Sequence, residues 1–141
     1  MRILVVGMGL IGGSICKSIK AATSHAVYGC DVQQAVLDDA IADGAIDGTG
    51  TMTDGTYDMI ILCLHQRIAI QMVQEALPKI PAGTILVDTC GLKGRMVRDL
   101  TYRCRKADVR YVGTHPMAGR EKNGYYASIP NLFQNANLIV T

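Results

Sequence analysis

The sequence is poor in aromatic residues: it has one phenylalanine, six tyrosines and no tryptophan among 141 residues. A hydrophobic core must therefore be built from valine, isoleucine, leucine, methionine and alanine, which suits the buried strands of an α/β sheet. Charged residues make up 18% of the chain and hydrophobic residues 49%, so the composition excludes a mainly disordered protein. The length predicts one domain with its own core.

Long apolar runs are missing as well. Residues 59–64 form the longest strongly apolar run, which is far shorter than a membrane span. The apolar residues at the start meet Gly7 too early to form the core of a signal peptide. We therefore expect a cytoplasmic protein with no membrane partner.

The cysteines contain no C-x-x-C pair. They are five in number and scattered along the chain: Cys16, Cys30, Cys63, Cys90 and Cys104. An odd, dispersed set argues against a disulfide framework and against a zinc site. We predict reduced, mainly structural thiols and no metal site.

The net charge of +2 hides an asymmetry between the two parts of the chain. Residues 1–92 carry five Lys/Arg against nine Asp/Glu, whereas residues 93–141 carry nine against three. A nucleic-acid surface, a site for an anionic small molecule and a solvated helix face each explain the basic part. We expect no nucleic-acid partner, because the basic excess accompanies a predicted ligand-binding edge and the rest of the chain is acidic.

Apolar runs alternate with amphipathic segments along the chain. Predicted strands cover residues 2–6, 26–30, a vestigial 45–46, 58–64, 83–88, 109–113 and 137–140, and predicted helices cover 11–20, 32–42, 67–77 and 95–106. A loop is predicted from Asp47 to Thr56, and Ile41 and Val97 are expected to face the core. This alternation predicts an α/β fold of the Rossmann type, a doubly wound, mainly parallel sheet with helices on both faces.

A glycine motif, G-x-G-x-x-G, occupies residues 7–12 between the first strand and the first helix. In a dinucleotide site, Gly7 allows the tight turn and Gly9 lets the backbone approach a pyrophosphate. Gly12 lets the helix pack closely on the strand. Free N–H groups at the helix start, at Leu10 and Ile11, would hold the phosphate charge.

The choice of dinucleotide depends on Asp31, which ends the second strand 19 residues beyond Gly12. A carboxylate there binds the ribose hydroxyls and repels a 2′-phosphate, which favours NAD over NADP. The alternative is that Asp31 only caps the second helix. Ser14 is either a further phosphate donor or an ordinary residue of the first helical turn.

His115 follows a predicted strand at the carboxyl edge of the sheet, where open α/β sheets place their ligands. Pro116 restricts the backbone directly after it. An imidazole titrates near neutral pH and is suited to accepting a proton during catalysis. A structural role for this histidine remains the alternative on this evidence.

These motifs together resemble the prephenate/arogenate dehydrogenase family. The matching pieces are residues 7–14, 29–31, 58–63, 87–93, 115–119 with Glu121 and Gly124, and 132–133, in the order found in the family. The glycine loop is shared with many dehydrogenases, whereas the His-Pro-Met-Ala-Gly stretch at 115–119 is far more specific.

The resemblance implies an NAD-dependent oxidoreductase of tyrosine biosynthesis that converts prephenate, or arogenate, by hydride transfer with loss of CO2. With prephenate the product is 4-hydroxyphenylpyruvate. His115 matches the catalytic histidine, which accepts the proton of the ring hydroxyl, and Leu64 matches a cofactor-binding position. The substrate, a dicarboxylate, would be bound by Gly91, Lys93, Arg120, Glu121 and Lys122.

The chain also departs from the family pattern. Gly91 stands where many members have a serine, and residues 1–141 correspond to the dinucleotide-binding domain without the helical domain through which the family dimerises. We therefore expect NAD binding with little or no turnover by this chain alone. A non-catalytic NAD-binding or sensing module and another dehydrogenase, such as a β-hydroxyacid or imine reductase, are the alternatives.

Overall fold

The computed structural model describes residues 1–55 and 57–141, and its strands form one sheet in the order β3-β2-β1-β4-β5-β6-β7. The strands are β1 (Arg2–Val6), β2 (Ala26–Cys30), β3 (Gly48–Thr49), β4 (Met59–Leu62), β5 (Ile85–Asp88), β6 (Arg110–Pro116) and β7 (Leu138–Val140). Strands β1 to β6 pair in parallel, and β7 pairs antiparallel with β6.

Four α-helices cover the two faces of the sheet. They are α1 (Leu10–Ala22), α2 (Gln34–Ala42), α3 (Gln66–Ala76) and α4 (Gly94–Lys106). Side chains of α1 and α2 pack in one core cluster, and those of α3 and α4 pack in another. The predicted doubly wound, mainly parallel α/β sheet is therefore confirmed.

The strands feed the two clusters alternately, because successive side chains of a strand point to opposite faces. In β1, Ile3 and Val5 pack towards α1 and α2, whereas Leu4 and Val6 pack towards α3 and α4. Each of these side chains is less than 5% exposed. The central strand is thus buried on both faces, as its continuous apolar run predicts.

Helix α1 approaches the sheet through small residues. Gly12, Gly13, Ser14 and Cys16 are the buried residues of this helix, while the larger apolar residues Ile11, Ile15 and Ile19 are only partly buried. A close approach of this kind needs residues without bulky side chains at the contact. It brings the start of α1 directly over the end of β1.

Four local predictions are wrong. Ala45 and Ile46 are buried but are not a strand, because their N–H groups donate to the carbonyl of Ala40 and close the end of α2; β3 begins two residues later. Ile41 is 46% exposed and Val97 is 38% exposed, so neither faces the core. The loop predicted from Asp47 to Thr56 contains β3 and is therefore wrong at its start, and Thr56 itself lies outside the described residues.

Candidate dinucleotide and substrate site

The glycine loop contains two glycines that the fold itself requires. Gly7 has a φ of +93°, and a Cβ on it would lie 2.4 Å from the carbonyl oxygen of Cys63. A Cβ on Gly12 would lie 1.9 Å from the carbonyl oxygen of Gly7. Both positions are closed by backbone atoms, so any side chain there forces the loop, β4 or α1 to move.

Gly9 differs from both neighbours, because a Cβ on it would meet nothing within 4 Å. Packing of the protein therefore does not explain this glycine. The space in front of it is open at the carboxyl end of β1, with β2 on one side and β4 on the other. This is the point where the strand order reverses, and open α/β sheets bind their ligands there.

The N-terminus of α1 points its backbone donors at this space. Its N-cap is Gly9, which makes no side-chain capping bond, and the first turn carries no acidic residue. The N–H groups of Leu10 and Ile11 therefore have neither a capping side chain nor a competing carboxylate. Together with the helix dipole they could hold the pyrophosphate of a dinucleotide.

Asp31 lies at the edge of the same space, at the end of β2. Its Oδ2 accepts a hydrogen bond from the Met8 N–H at 2.8 Å, and its Oδ1 accepts one from the Gln33 N–H at 2.9 Å. The N-cap of α2 is Gln33, so Asp31 steadies the turn before the helix without being its N-cap residue. A carboxylate accepts more than two hydrogen bonds, which leaves capacity for ribose hydroxyls.

His115 lies within β6, near its end, and not after the strand as predicted. A Cβ placed on Gly91 would lie 3.4 Å from the Cε1 atom of His115. The loop after β5 therefore packs against one side of the imidazole ring. The Nδ1 atom is buried and has no hydrogen-bond partner among the described residues. Because Nδ1 is enclosed, Nε2 is the ring nitrogen that a ligand can reach.

A buried carboxylate at the end of the neighbouring strand was missed by the sequence analysis. Asp88 ends β5 and is 0% exposed. Its Oδ1 accepts hydrogen bonds from Lys93 Nζ and from the Cys90 N–H, and its Oδ2 accepts one from the Tyr111 hydroxyl at 2.6 Å. The available signal was a single acidic residue at the end of an apolar strand, the same signal that identified Asp31.

The predicted substrate-binding residues differ in their exposure and in their hydrogen-bond partners. Lys93 is paired with Asp88, with 15% of its side chain exposed. Arg120 donates from Nη1 to the carbonyl of Ala127 at 2.9 Å. Glu121 and Lys122 are exposed. Their roles, and that of Gly91 beside the imidazole, stay predictions.

About half of the Lys and Arg residues of 93–141 lie away from this edge. Helix α4 runs from the carboxyl end of β5 back to the amino end of β6, and its last turn carries Arg103, Arg105 and Lys106. These three residues are exposed, and so is Arg98. A solvated helix face therefore accounts for much of the charge that the sequence analysis left open to several explanations.

Two cavities border the carboxyl edge of the sheet. One, of about 450 Å³, lies where β4 and β5 end and is lined by Leu64 and Gly91 among others. The other, of about 310 Å³, lies on the α1 face and is mainly apolar, with Ile61, Val87 and Pro116 in its wall. Leu64 also lies beside the glycine loop, since a Cβ on Gly7 would be 2.8 Å from its Cδ2 atom.

The two thiols at this edge are poor nucleophiles. Burial raises the pKa of the Cys63 thiol to about 12. Burial, followed by the nearby Asp88 carboxylate, raises the pKa of Cys90 to about 11. Burial and then the hydrogen bond to Asp88 also raise the pKa of Tyr111, so its hydroxyl stays a donor. Both thiols are protonated at neutral pH, which disfavours thiolate chemistry.

Ser14 is occupied by the protein itself. Its Oγ accepts a hydrogen bond from the Ile129 N–H at 3.0 Å, and the residue is 0% exposed. Lys17 Nζ donates to the carbonyl of Ser128, and Ser18 Oγ donates to that of Pro130. This face of α1 therefore anchors residues 128–130, and Ser14 belongs to that anchor.

Within residues 1–55 and 57–141, no three His, Cys, Asp or Glu side chains are grouped so that they could hold a metal ion. In the same part of the chain, no helix has the length and apolar character needed to cross a membrane.

Comparison with known families decides where the chain belongs. A family model described as the nucleotide-binding domain of prephenate dehydrogenase matches residues 15–141. The chain belongs to the prephenate dehydrogenase family. A prephenate dehydrogenase of Lactococcus lactis is 31% identical over 144 residues, an alignment that covers 99% of this chain and 40% of that protein.

Solved structures of the same family superpose closely. A prephenate dehydrogenase from A. aeolicus, in complex with hydroxyphenyl propionate and NAD+, is 29% identical with a TM-score of 0.90; the match covers all of this chain and 50% of that one. The arogenate dehydrogenase of Synechocystis is 26% identical with a TM-score of 0.88, again over all of this chain and 50% of that one. The chain thus spans about half the length of these relatives.

Proposed function

We propose that residues 1–141 form the NAD-binding domain of a dehydrogenase that oxidatively decarboxylates prephenate to 4-hydroxyphenylpyruvate. The observation that carries the proposal is the contrast within the glycine loop. Gly7 and Gly12 are closed by protein backbone, whereas Gly9 opens on the space where the strand order reverses. A ligand whose anionic group lies directly against the backbone explains why Gly9 has no side chain.

The residues of this space fit NAD. The uncapped N–H groups of Leu10 and Ile11 bind the pyrophosphate, and Gly9 allows its close approach. Asp31 accepts hydrogen bonds from the ribose hydroxyls, and its negative charge disfavours a 2′-phosphate at the same place. Leu64 packs on the side of the loop that faces β4. The A. aeolicus relative is described with NAD+ bound, which supports this choice.

The chemistry of the substrate falls to His115 and the loops around it. NAD, when bound, supplies the hydride acceptor. His115 accepts the proton of the substrate's ring hydroxyl at Nε2 as the ring carbonyl forms, since this nitrogen is the one open to a ligand. Gly91 borders the imidazole, and Arg120, Glu121 and Lys122 are the charged residues to which we assign the dicarboxylate. Loss of CO2 from the ring completes the reaction.

A non-catalytic NAD-binding module is the second candidate, and Gly91 is the observation in its favour. Glycine supplies no hydroxyl beside the imidazole, and Nδ1 has no partner in the described part of the chain. The alternative that the chain belongs to another dehydrogenase with the same cofactor fold is disfavoured, because the family model covers nearly the whole chain. Prephenate and arogenate remain alternative substrates, since relatives of both kinds match.

The test is incubation of the chain with NAD and either prephenate or arogenate, with NADH, CO2 and the aromatic product all measured. We expect slow, NAD-dependent oxidation in which NADH and CO2 form in equal amounts. We expect the rate to be slow because this chain spans only about half the length of its relatives. Binding of NAD without any product from either substrate would instead favour the non-catalytic module.

A further inference from the structure

One carboxylate holds both ends of the loop between β5 and α4, residues 89–93. At the start of the loop, the Cys90 N–H donates to Asp88 Oδ1 at 2.8 Å. At its end, Lys93 Nζ donates to the same oxygen. Gly91 lies between these two anchors, and its position follows from theirs. This segment is called the Asp88 loop below.

The same carboxylate also holds the strand that carries His115. Tyr111, on β6, donates its hydroxyl to Asp88 Oδ2 at 2.6 Å. Residues four apart in a strand lie on the same face, so the Tyr111 and His115 side chains share a face of β6. The hydroxyl of Thr114 donates to the backbone carbonyl of Asp88 at 2.7 Å, which ties the neighbouring residue to the end of β5.

The imidazole therefore sits between two elements that meet at Asp88. Tyr111 and Thr114 fix the strand that carries the imidazole. The Asp88 loop fixes Gly91, which lies beside the ring. Asp88 is fully buried, and a buried carboxylate keeps its charge only when donors surround it. Lys93 is the cation among those donors, so its charge is used inside the protein.

We propose that Asp88 and Lys93 are positioning residues that fix the Asp88 loop against His115. Lys93 acts by neutralising Asp88, and it does not bind a substrate carboxylate. The proposal deepens the proposed function, since it concerns the orientation of the histidine assigned there. It predicts that removing the ammonium group of Lys93 separates Gly91 from the imidazole. The glycine loop at residues 7–12 should keep its structure.

The proposal can be tested on the chain itself by NMR. The cross-peak between the Hε1 proton of His115 and the Hα protons of Gly91 reports directly on their contact. Lys93→Met removes the cation and keeps a long apolar stem, and Lys93→Arg restores a cation. The matched control is Lys20→Met, which removes the partly exposed ion pair with Asp47 on the other side of the molecule.

We expect the cross-peak to be lost in Lys93→Met and to be present in the parent, in Lys93→Arg and in Lys20→Met. NAD affinity should be unchanged in all of them. If Lys93→Met does not fold, Tyr111→Phe removes a different donor from Asp88 and should weaken the same cross-peak. A cross-peak of full intensity in whichever of the two variants folds overturns the proposal.

A kinetic measurement separates this proposal from the proposed function. With prephenate and NAD, Lys93→Met should lower kcat and leave KM for prephenate unchanged, because a misplaced histidine affects the reacting state and not substrate binding. A raised KM with unchanged kcat would make Lys93 a substrate ligand and would overturn the proposal. If the parent chain makes no product, the non-catalytic NAD-binding module is favoured, and the NMR result alone decides the positioning role.

Discussion

Replacing His115 by asparagine is expected to lower the rate of prephenate oxidation by about 10²–10⁴-fold, the usual contribution of a positioned general base. Asparagine preserves much of the imidazole's volume against Gly91 but accepts no proton at neutral pH. The affinity for NAD should stay the same, because the glycine loop and Asp31 lie on other strands. Product formation and NAD titration, carried out on the same preparation, check both statements.

The control for this variant is His25→Asn. His25 lies just before β2, at the amino edge of the sheet, where its Nδ1 atom contacts the N-terminal amine at 3.4 Å. Its replacement should leave oxidation and NAD binding unchanged. Undiminished oxidation by His115→Asn would remove His115 from the reaction, and a parallel loss in His25→Asn would point to a general effect on folding.

Substitution of the two loop glycines by alanine is expected to separate folding from binding. Gly12→Ala places a Cβ within 1.9 Å of a backbone oxygen, so we expect the free energy of unfolding to fall by about 3 kcal/mol or more. Gly9→Ala meets no atom and replaces only an N-cap glycine, so it should lower that free energy by about 1 kcal/mol or less. It should nevertheless weaken NAD binding by about tenfold or more, because the methyl group occupies the space of the pyrophosphate.

Gly94→Ala is the matched control, since a Cβ there also meets nothing within 4 Å and the residue lies at the start of α4. Its stability and NAD affinity should both be unchanged. Urea unfolding and calorimetric titration measure the two quantities. A Gly9→Ala variant that binds NAD as well as the parent would contradict the assignment of the open space to the cofactor.

The fold followed from the sequence because its signals are local and repeated. The apolar run of β1, the glycine loop and Asp31 each depend on a few adjacent residues, and their spacing sets the parallel crossover. The small third strand did not follow, because Ala45 and Ile46 look equally apolar whether they form a strand or close α2. Their hydrogen bonds to Ala40 settle the choice, and these depend on how α2 ends.

The sequence predicts which residues meet at the sheet edge, but it does not predict how their charged side chains pair. His115 lies on β6 and Gly91 lies in the loop after β5, and the topology places these two strands side by side. The pairing of Lys93 with Asp88 was not visible in the sequence, because a lysine after a strand looks the same whether it turns inward or outward. A buried acid in need of a cation is apparent only once burial is known.

Calorimetric titration of the chain with NAD and with NADP tests the central claim most directly. The open Gly9, the uncapped start of α1 and the carboxylate of Asp31 together require binding of one NAD per chain. The same carboxylate should make the affinity for NADP about tenfold or more weaker than that for NAD, equivalent to about 1.4 kcal/mol. No binding of NAD, or binding of NADP as tight as that of NAD, would contradict the account.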